Sequence, residues 1–164
     1  ARVGLAFGMK VIAWSQNMTS RQAAEVGVVR VDKNEFFTTA DVISIHVILS
    51  ERTRCLVGTQ EIGLMKSEAC LINTSRGPII EEKALIEALS EKRIAGAGLD
   101  VFEIEPLPPD HPFFNLSNVV VTPHIGYVTR EGFEIYFRDA CEDVSAWLSG
   151  NPIRVLEPYS GNRS

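Results

Sequence analysis

Residues 69–100, ACLINTSRGPIIEEKALIEALSEKRIAGAGLD, decide the architecture. They open on a short apolar run, Ala69-Cys70-Leu71-Ile72-Asn73, bounded by small polar residues, which reads as a buried strand. Gly77-Pro78 breaks the chain before a helix expected from about Glu81 to Ser90. There Ile80, Ala84, Leu85, Ala88 and Leu89 form one apolar stripe. Ala95 to Leu99 follows as a second strand, rich in small residues. A strand, a helix and a strand with continuous apolar strands argue for a parallel sheet with helices on both faces.

The same alternation extends in both directions. Ala1 to Lys10 reads as the tail of a helix already under way, with Gly8 placed to end it. Val11-Ile12-Ala13-Trp14, Val28-Val29-Arg30-Val31 and Val42-Ile43-Ser44-Ile45-His46 are strand candidates. Between them, Thr19 or Ser20 caps a helix from Arg21 to Val26, and Asp32 caps a turn over Glu35-Phe36-Phe37. Thr59 caps a short helix through Ile62 and Met65. Beyond Leu99, a loop carrying Pro106, Pro108, Pro109 and Pro112 leads into the strand Val119-Val120-Val121. The last helix is expected over Arg130–Leu148, with Phe133, Phe137, Ala140, Val144, Trp147 and Leu148 spaced by threes and fours. Gly150-Asn151-Pro152 stops it. The chain thus divides into one α/β domain, 1–150, and a tail, 151–164, with no internal repeat.

Composition narrows the function classes. The chain has 164 residues, 45% of them apolar and 23% charged, which fits a globular domain and excludes a disordered tail. Its net charge of −5, without a basic run, makes nucleic acid a poor partner. No apolar stretch approaches the roughly 18 residues of a membrane span. The three cysteines, Cys55, Cys70 and Cys141, lack CxxC spacing. They read as buried thiols in a cytoplasmic protein, and nothing suggests a metal site.

In a parallel sheet of this kind ligands bind beyond the C-terminal ends of the strands. The residues that just follow the strands are Ser15, His46, Thr74 to Gly77, Asp100 and His124. Arg76 offers a forked cation for a carboxylate, and Gly77 permits a tight turn. Glu105 is biased to an extended conformation by Pro106. His124, behind Thr122-Pro123, suits proton transfer to a carbonyl oxygen near neutral pH.

NTSRG (73–77), GLDVFEIEP (98–106) and TPHIG (122–126), in that order, together resemble the D-isomer-specific 2-hydroxyacid dehydrogenase family. FGMKVIAW (7–14) and SIHVILSERTR (44–54) match its pattern as well, and the likeness extends to about Pro158. The resemblance implies a Rossmann-like doubly wound parallel sheet and an NAD(P)-dependent oxidoreductase of small 2-hydroxy or 2-oxo acids. It implies that His124 is the general acid/base, Glu105 its carboxylate partner and Arg76 the group that holds the substrate carboxylate. Asp100 is expected near the nicotinamide, Thr74 and Gly126 against the cofactor through their backbone, and His46 lining the crevice. A homodimer is implied too, and the aromatic residues of the last helix exceed what one core face needs.

Three departures stand beside the likeness. The family's glycine-rich turn and the strand before it are not found, so the sheet is expected to be incomplete and the isolated chain inactive. After Trp14 the family often carries an acidic residue for the ribose, where Ser15-Gln16-Asn17 stands here. That removes repulsion toward a 2′-phosphate, but Arg21 is the only arginine nearby, so NAD is slightly favoured and NADP stays open. Ile48 replaces a frequent proline. A corepressor-like dinucleotide-sensing module and an inactive fragment are the competing readings.

Overall fold

Helix ends are where backbone groups lack partners, and the short polar residues of this chain supply them. The computed structural model describes residues 1–156, which form two units, Ala1–Gly126 and a second that begins at Tyr127. In the first, α1 (Arg2–Ala6) ends at Gly8, whose φ of 75° is the left-handed conformation glycine adopts freely. Thr19 caps α2 (Ser20–Ala24) through a reciprocal box. The Gln22 N–H donates to the Thr19 hydroxyl at 3.3 Å, and the Thr19 N–H donates to the Gln22 side chain at 2.8 Å. Asp32 caps α3 (Lys33–Thr39) by accepting from the Glu35 N–H at 2.8 Å. Before α4 (Thr59–Leu64) the cap is Gly58, one residue earlier than expected from Thr59. Its N–H donates to the Glu61 carboxylate, which also takes Lys33 at 2.6 Å.

The strands form two parallel ladders. β1 (Ile12–Ala13) pairs with β2 (Val29–Arg30). The larger sheet runs β3 (Val42–Ile45), β4 (Cys70–Asn73), β5 (Gly96–Leu99), β6 (Val119–Val121), in that spatial order. The registers pair Ile45 with Asn73, Asn73 with Leu99, and Leu99 with Val121. All four strands therefore finish at one edge of the sheet. α5 (Glu82–Ser90) crosses from β4 to β5 after a 3-10 turn at Gly77–Ile79.

Side chains alternate across a strand, and one row of this sheet faces a single core. Ile43, Ile45, Leu71, Ala97 and Leu99 pack with Phe37 of α3, Ile62 of α4, and Ala84, Leu85, Ala88 and Leu89 of α5. Each such Leu, Ile or Phe contributes roughly 1.5–3 kcal/mol by burial. On the opposite row Val42, Ser44, Cys70 and Ile72 are exposed or half-buried. Continuous apolar strands had suggested helices over both faces, and only the first face is fully covered by this cluster.

The cysteines correct an expectation. Cys55 and Cys141 are exposed and Cys70 is half-buried. Cys55 sits in a turn with φ of 50°, Cys70 on the less covered row of β4, and Cys141 on a helix that buries nothing.

In the second unit, α6 (Arg130–Leu148) matches its expected bounds and is capped by Thr129, whose hydroxyl accepts from the Gly132 N–H at 3.0 Å. Arg154 folds back to Glu142 at 2.6 Å and Asp143 at 2.7 Å. None of the 19 residues of α6 is buried. The tail expected over 151–164 is described only to Leu156, so its remainder and Pro158 lie outside the described residues.

Candidate active site

The shared edge where β3, β4, β5 and β6 end carries most of the residues picked out from the sequence. At the end of β4, Asn73 is 1% exposed and its amide organises the next turn. It donates to the Arg76 carbonyl at 2.9 Å and accepts from the Ser75 N–H at 3.0 Å. The Ser75 hydroxyl donates to the Ile45 carbonyl at 2.9 Å, tying this turn to the end of β3. His46, next along β3, meets the Ser44 hydroxyl at 2.9 Å. Between the two strand ends lies a cavity of about 360 Å³ lined by His46, Val47, Ile48, Leu49, Thr74, Ser75 and Arg76.

Asp100 follows β5 and is 6% exposed. Burial alone would raise its pKa. Hydrogen bonds from the Thr122 hydroxyl (2.5 Å) and the Ile125 and Gly126 N–H groups (2.9 and 2.8 Å), with the nearby His124, outweigh that and lower it. The carboxylate thus gathers the loop after β6 around itself. Within that loop His124 adopts φ of 55°, and its N–H donates to the Thr122 carbonyl at 3.0 Å.

His124 Nδ1 lies 2.6 Å from Glu105 Oε2, and the other Glu105 oxygen accepts from the Phe102 N–H at 2.9 Å. Partial burial pushes the Glu105 pKa up. The bonds to His124 and Phe102, and the charges of His124 and Arg76, outweigh this and hold it below the usual carboxylate value. A carboxylate on Nδ1 fixes the orientation of the ring.

The sequence-derived residues therefore fall into three groups. Arg76, Glu105 and His124 share one electrostatic neighbourhood. Thr74 and His46 line the cavity with Arg76. Asp100 and Gly126 are bonded to each other, and all three acceptor contacts of Asp100 go to the loop after β6. Ser15 lies after β1, in the smaller sheet, where its carbonyl accepts from the Met18 N–H at 3.3 Å. Sequence reasoning missed Asn73, Ser75 and Thr122 as organisers of these turns. Their signal was a short polar side chain at or within two residues of a strand's end. Among the described residues, no group of three His, Cys, Asp or Glu is placed to hold a metal ion.

Comparison with known proteins agrees with this fold. Residues 1–126 match the family model described as D-isomer specific 2-hydroxyacid dehydrogenase, NAD binding domain. The chain is 41% identical over 150 residues to a glyoxylate reductase of Aeropyrum pernix, covering 92% of this chain and 45% of that protein. A phosphoglycerate oxidoreductase structure from Vibrio cholerae superposes with a TM-score of 0.83 at 37% identity, over 91% of this chain and 48% of the other. A D-lactate dehydrogenase from Lactobacillus jensenii, solved with NAD+, gives 0.76 at 29% identity, over 96% and 51%. The chain spans between 28% and 49% of the length of the glyoxylate reductase and the other similar curated relatives. With the ordered strand ends and the family model in agreement, this chain belongs to the D-isomer specific 2-hydroxyacid dehydrogenase family.

Proposed function

We propose that the protein is an NAD-dependent oxidoreductase that interconverts small 2-hydroxy and 2-oxo acids at the edge where β3 to β6 end. The observation that carries this reading is the 2.6 Å contact between His124 and Glu105, with the Arg76 charge acting on the same carboxylate. The cavity beside Arg76 combines apolar Val47, Ile48 and Leu49 with the hydroxyls of Thr74 and Ser75, and no carboxylate lines it. That lining fits a flat, polar-edged nicotinamide ring. When bound, the nicotinamide supplies or accepts the hydride at C2 of the acid.

The chain's own groups manage charge and protons. Arg76 attracts the substrate carboxylate and the oxygen on which negative charge develops. Glu105 holds Nδ1–H, which makes Nε2 the ring atom that exchanges a proton with the substrate oxygen. In reduction the imidazolium gives its Nε2 proton to that oxygen, and in oxidation the neutral ring takes it back. Thr74 and His46 shape the crevice wall, and Asp100 and Gly126 hold the His124 loop from behind. Ser15, Gln16 and Asn17 line the turn offered to the adenosine ribose.

The test is His124→Gln in the full-length protein, with NADH and a panel including glyoxylate, hydroxypyruvate and pyruvate. Turnover falls by about 10²–10⁴-fold, the range of general acid–base catalysis, while NADH affinity by fluorescence titration is kept. Turnover that survives, or turnover and NADH affinity lost together, overturns the assignment.

Self-association through α6 belongs to the same proposal. Phe133, Tyr136, Phe137 and Trp147 are all exposed on a helix with no buried residue, which supports pairing with a second copy. A monomer in light scattering at micromolar concentration would sink it. Three free thiols support a reducing, cytoplasmic setting.

A further inference from the structure

The loop that carries Glu105 leaves β5 at Asp100 and returns to the core at Phe113, and one carboxylate outside the active site grips it at two points. Glu82 is the first residue of α5. Its Oε2 accepts from the Glu103 N–H at 3.4 Å, two residues before Glu105. Its Oε1 lies 3.1 Å from His111 Nε2, six residues after Glu105. His111 is itself oriented by its neighbours. The Phe113 N–H donates to His111 Nδ1 at 3.3 Å, which leaves the ring proton on Nε2 for Glu82. The ring also lies 4.7 Å from that of Phe113, which is 3% exposed. The His111 and Glu82 side chains are 12% and 24% exposed, so the pair is largely shielded from solvent.

A loop of this length between two core anchors has many conformations, and closing it at both sides of Glu105 removes most of them. The Glu105 carboxylate must meet both the Phe102 N–H and His124 Nδ1, so its backbone position sets the direction of the His124 ring. We propose that Glu82 and His111 form a positioning pair that holds the Glu105 loop in register with His124, acting on proton transfer and touching neither substrate nor cofactor. This rests on the acid–base reading of Glu105 and His124 given above.

The experiment compares Glu82→Ala, His111→Ala and His111→Gln with Glu105→Gln in the full-length protein. Displacing a catalytic group by about an ångström lowers turnover roughly a hundredfold, and both alanine variants fall in kcat toward that range with KM for the 2-oxo acid nearly unchanged. His111→Gln keeps an N–H for Glu82 and recovers most of the rate. Independently of turnover, the downfield ¹H–¹⁵N signal of the His124 Nδ1–H bond broadens or disappears in Glu82→Ala and persists in His111→Gln. Adding Glu82→Ala to Glu105→Gln produces little further loss, because the positioned group is already gone.

Full kcat in both alanine variants, or an unchanged His124 signal in Glu82→Ala, overturns the positioning role. If Glu105→Gln itself leaves turnover intact, the acid–base reading falls instead, which separates the two failures. Should the alanine variants not fold, His111→Gln together with Glu82→Gln decides. Glu82→Gln offers one acceptor to two donors, so it must lower kcat where His111→Gln does not, and equal rates in the two overturn the proposal.

Discussion

Gly77 stands against the backbone of Phe102 so closely that a methyl group on its α-carbon would overlap the Phe102 carbonyl. The turn that bears Arg76 and the loop that bears Glu105 are therefore packed backbone to backbone. Gly77→Ala is expected to destabilise the fold by about 3 kcal/mol, the upper end for overpacking, because the clash is with main chain that cannot rotate away. Urea unfolding of the two proteins measures it, and an unchanged midpoint would show that the two segments separate easily.

Asp100 accepts from three donors, and its amide counterpart has one oxygen to offer them. Asp100→Asn should lose roughly 1–3 kcal/mol, the usual penalty for leaving a buried donor unmatched. The charge adds a pH signature. The folded pKa of Asp100 lies below its unfolded value, so its contribution is fully present above the unfolded carboxylate range near 4. It is lost as pH falls through the folded value. Acid unfolding of the wild type should thus be steeper below about pH 4 than that of Asp100→Asn. Parallel curves would mean that the charge contributes nothing.

Glu105 is likewise held below the ordinary carboxylate range, so it is ionised at neutral pH. Reduction of a 2-oxo acid should therefore show no fall in kcat/KM assignable to Glu105 until the pH drops below about 4.5. Glu105→Gln should remove the carboxylate charge that His124 Nδ1 meets at 2.6 Å, so its kcat in the reductive direction falls and its pH–rate profile differs from that of the wild type. Superimposable pH–rate profiles would argue against coupling between the two side chains.

The turn after β1 bears no carboxylate, only Ser15, Gln16 and Asn17, and the Arg30 guanidinium donates to the Met18 carbonyl at 2.7 Å beside it. Nothing in that turn repels a 2′-phosphate. NADPH should bind within about tenfold of NADH, a difference of about 1.4 kcal/mol. Fluorescence titration with both cofactors checks this, and a much larger gap would point to a discriminating group elsewhere.

The elements could be read from the sequence because each rests on local chemistry. The stripe Ile80, Ala84, Leu85, Ala88 and Leu89 is buried as its spacing implies, and Thr19 and Asp32 cap the helices they precede. The three motifs that bear Arg76, Glu105 and His124 stood out in the sequence because they lie beyond strand ends and occur in family order, and the contact of Glu105 with His124 is what the fold adds. What remained hidden depends on the third dimension. His111 is an unremarkable histidine in a proline loop until the crossover helix brings Glu82 beside it, 29 residues away in sequence. Asp100 looked like a cofactor-facing carboxylate, and only the fold shows how many chain donors already converge on it. The cysteines misled because a periodic pattern identifies a helix without saying that its apolar face is covered, as α6 demonstrates.

The pairing of Leu99 with Val121 places Asp100 and Thr122 in the next positions along β5 and β6. Side chains in a strand alternate between faces, so a slip of one residue would turn Thr122 to the other side of the sheet. The Ile125 and Gly126 amides would leave Asp100 with it, and His124 would no longer meet Glu105. The reach of the imidazole is in this sense counted off in backbone hydrogen bonds between two neighbouring strands. A substitution deep in the sheet that loosens this one ladder would part His124 from Glu105 with every residue of the site still unsubstituted.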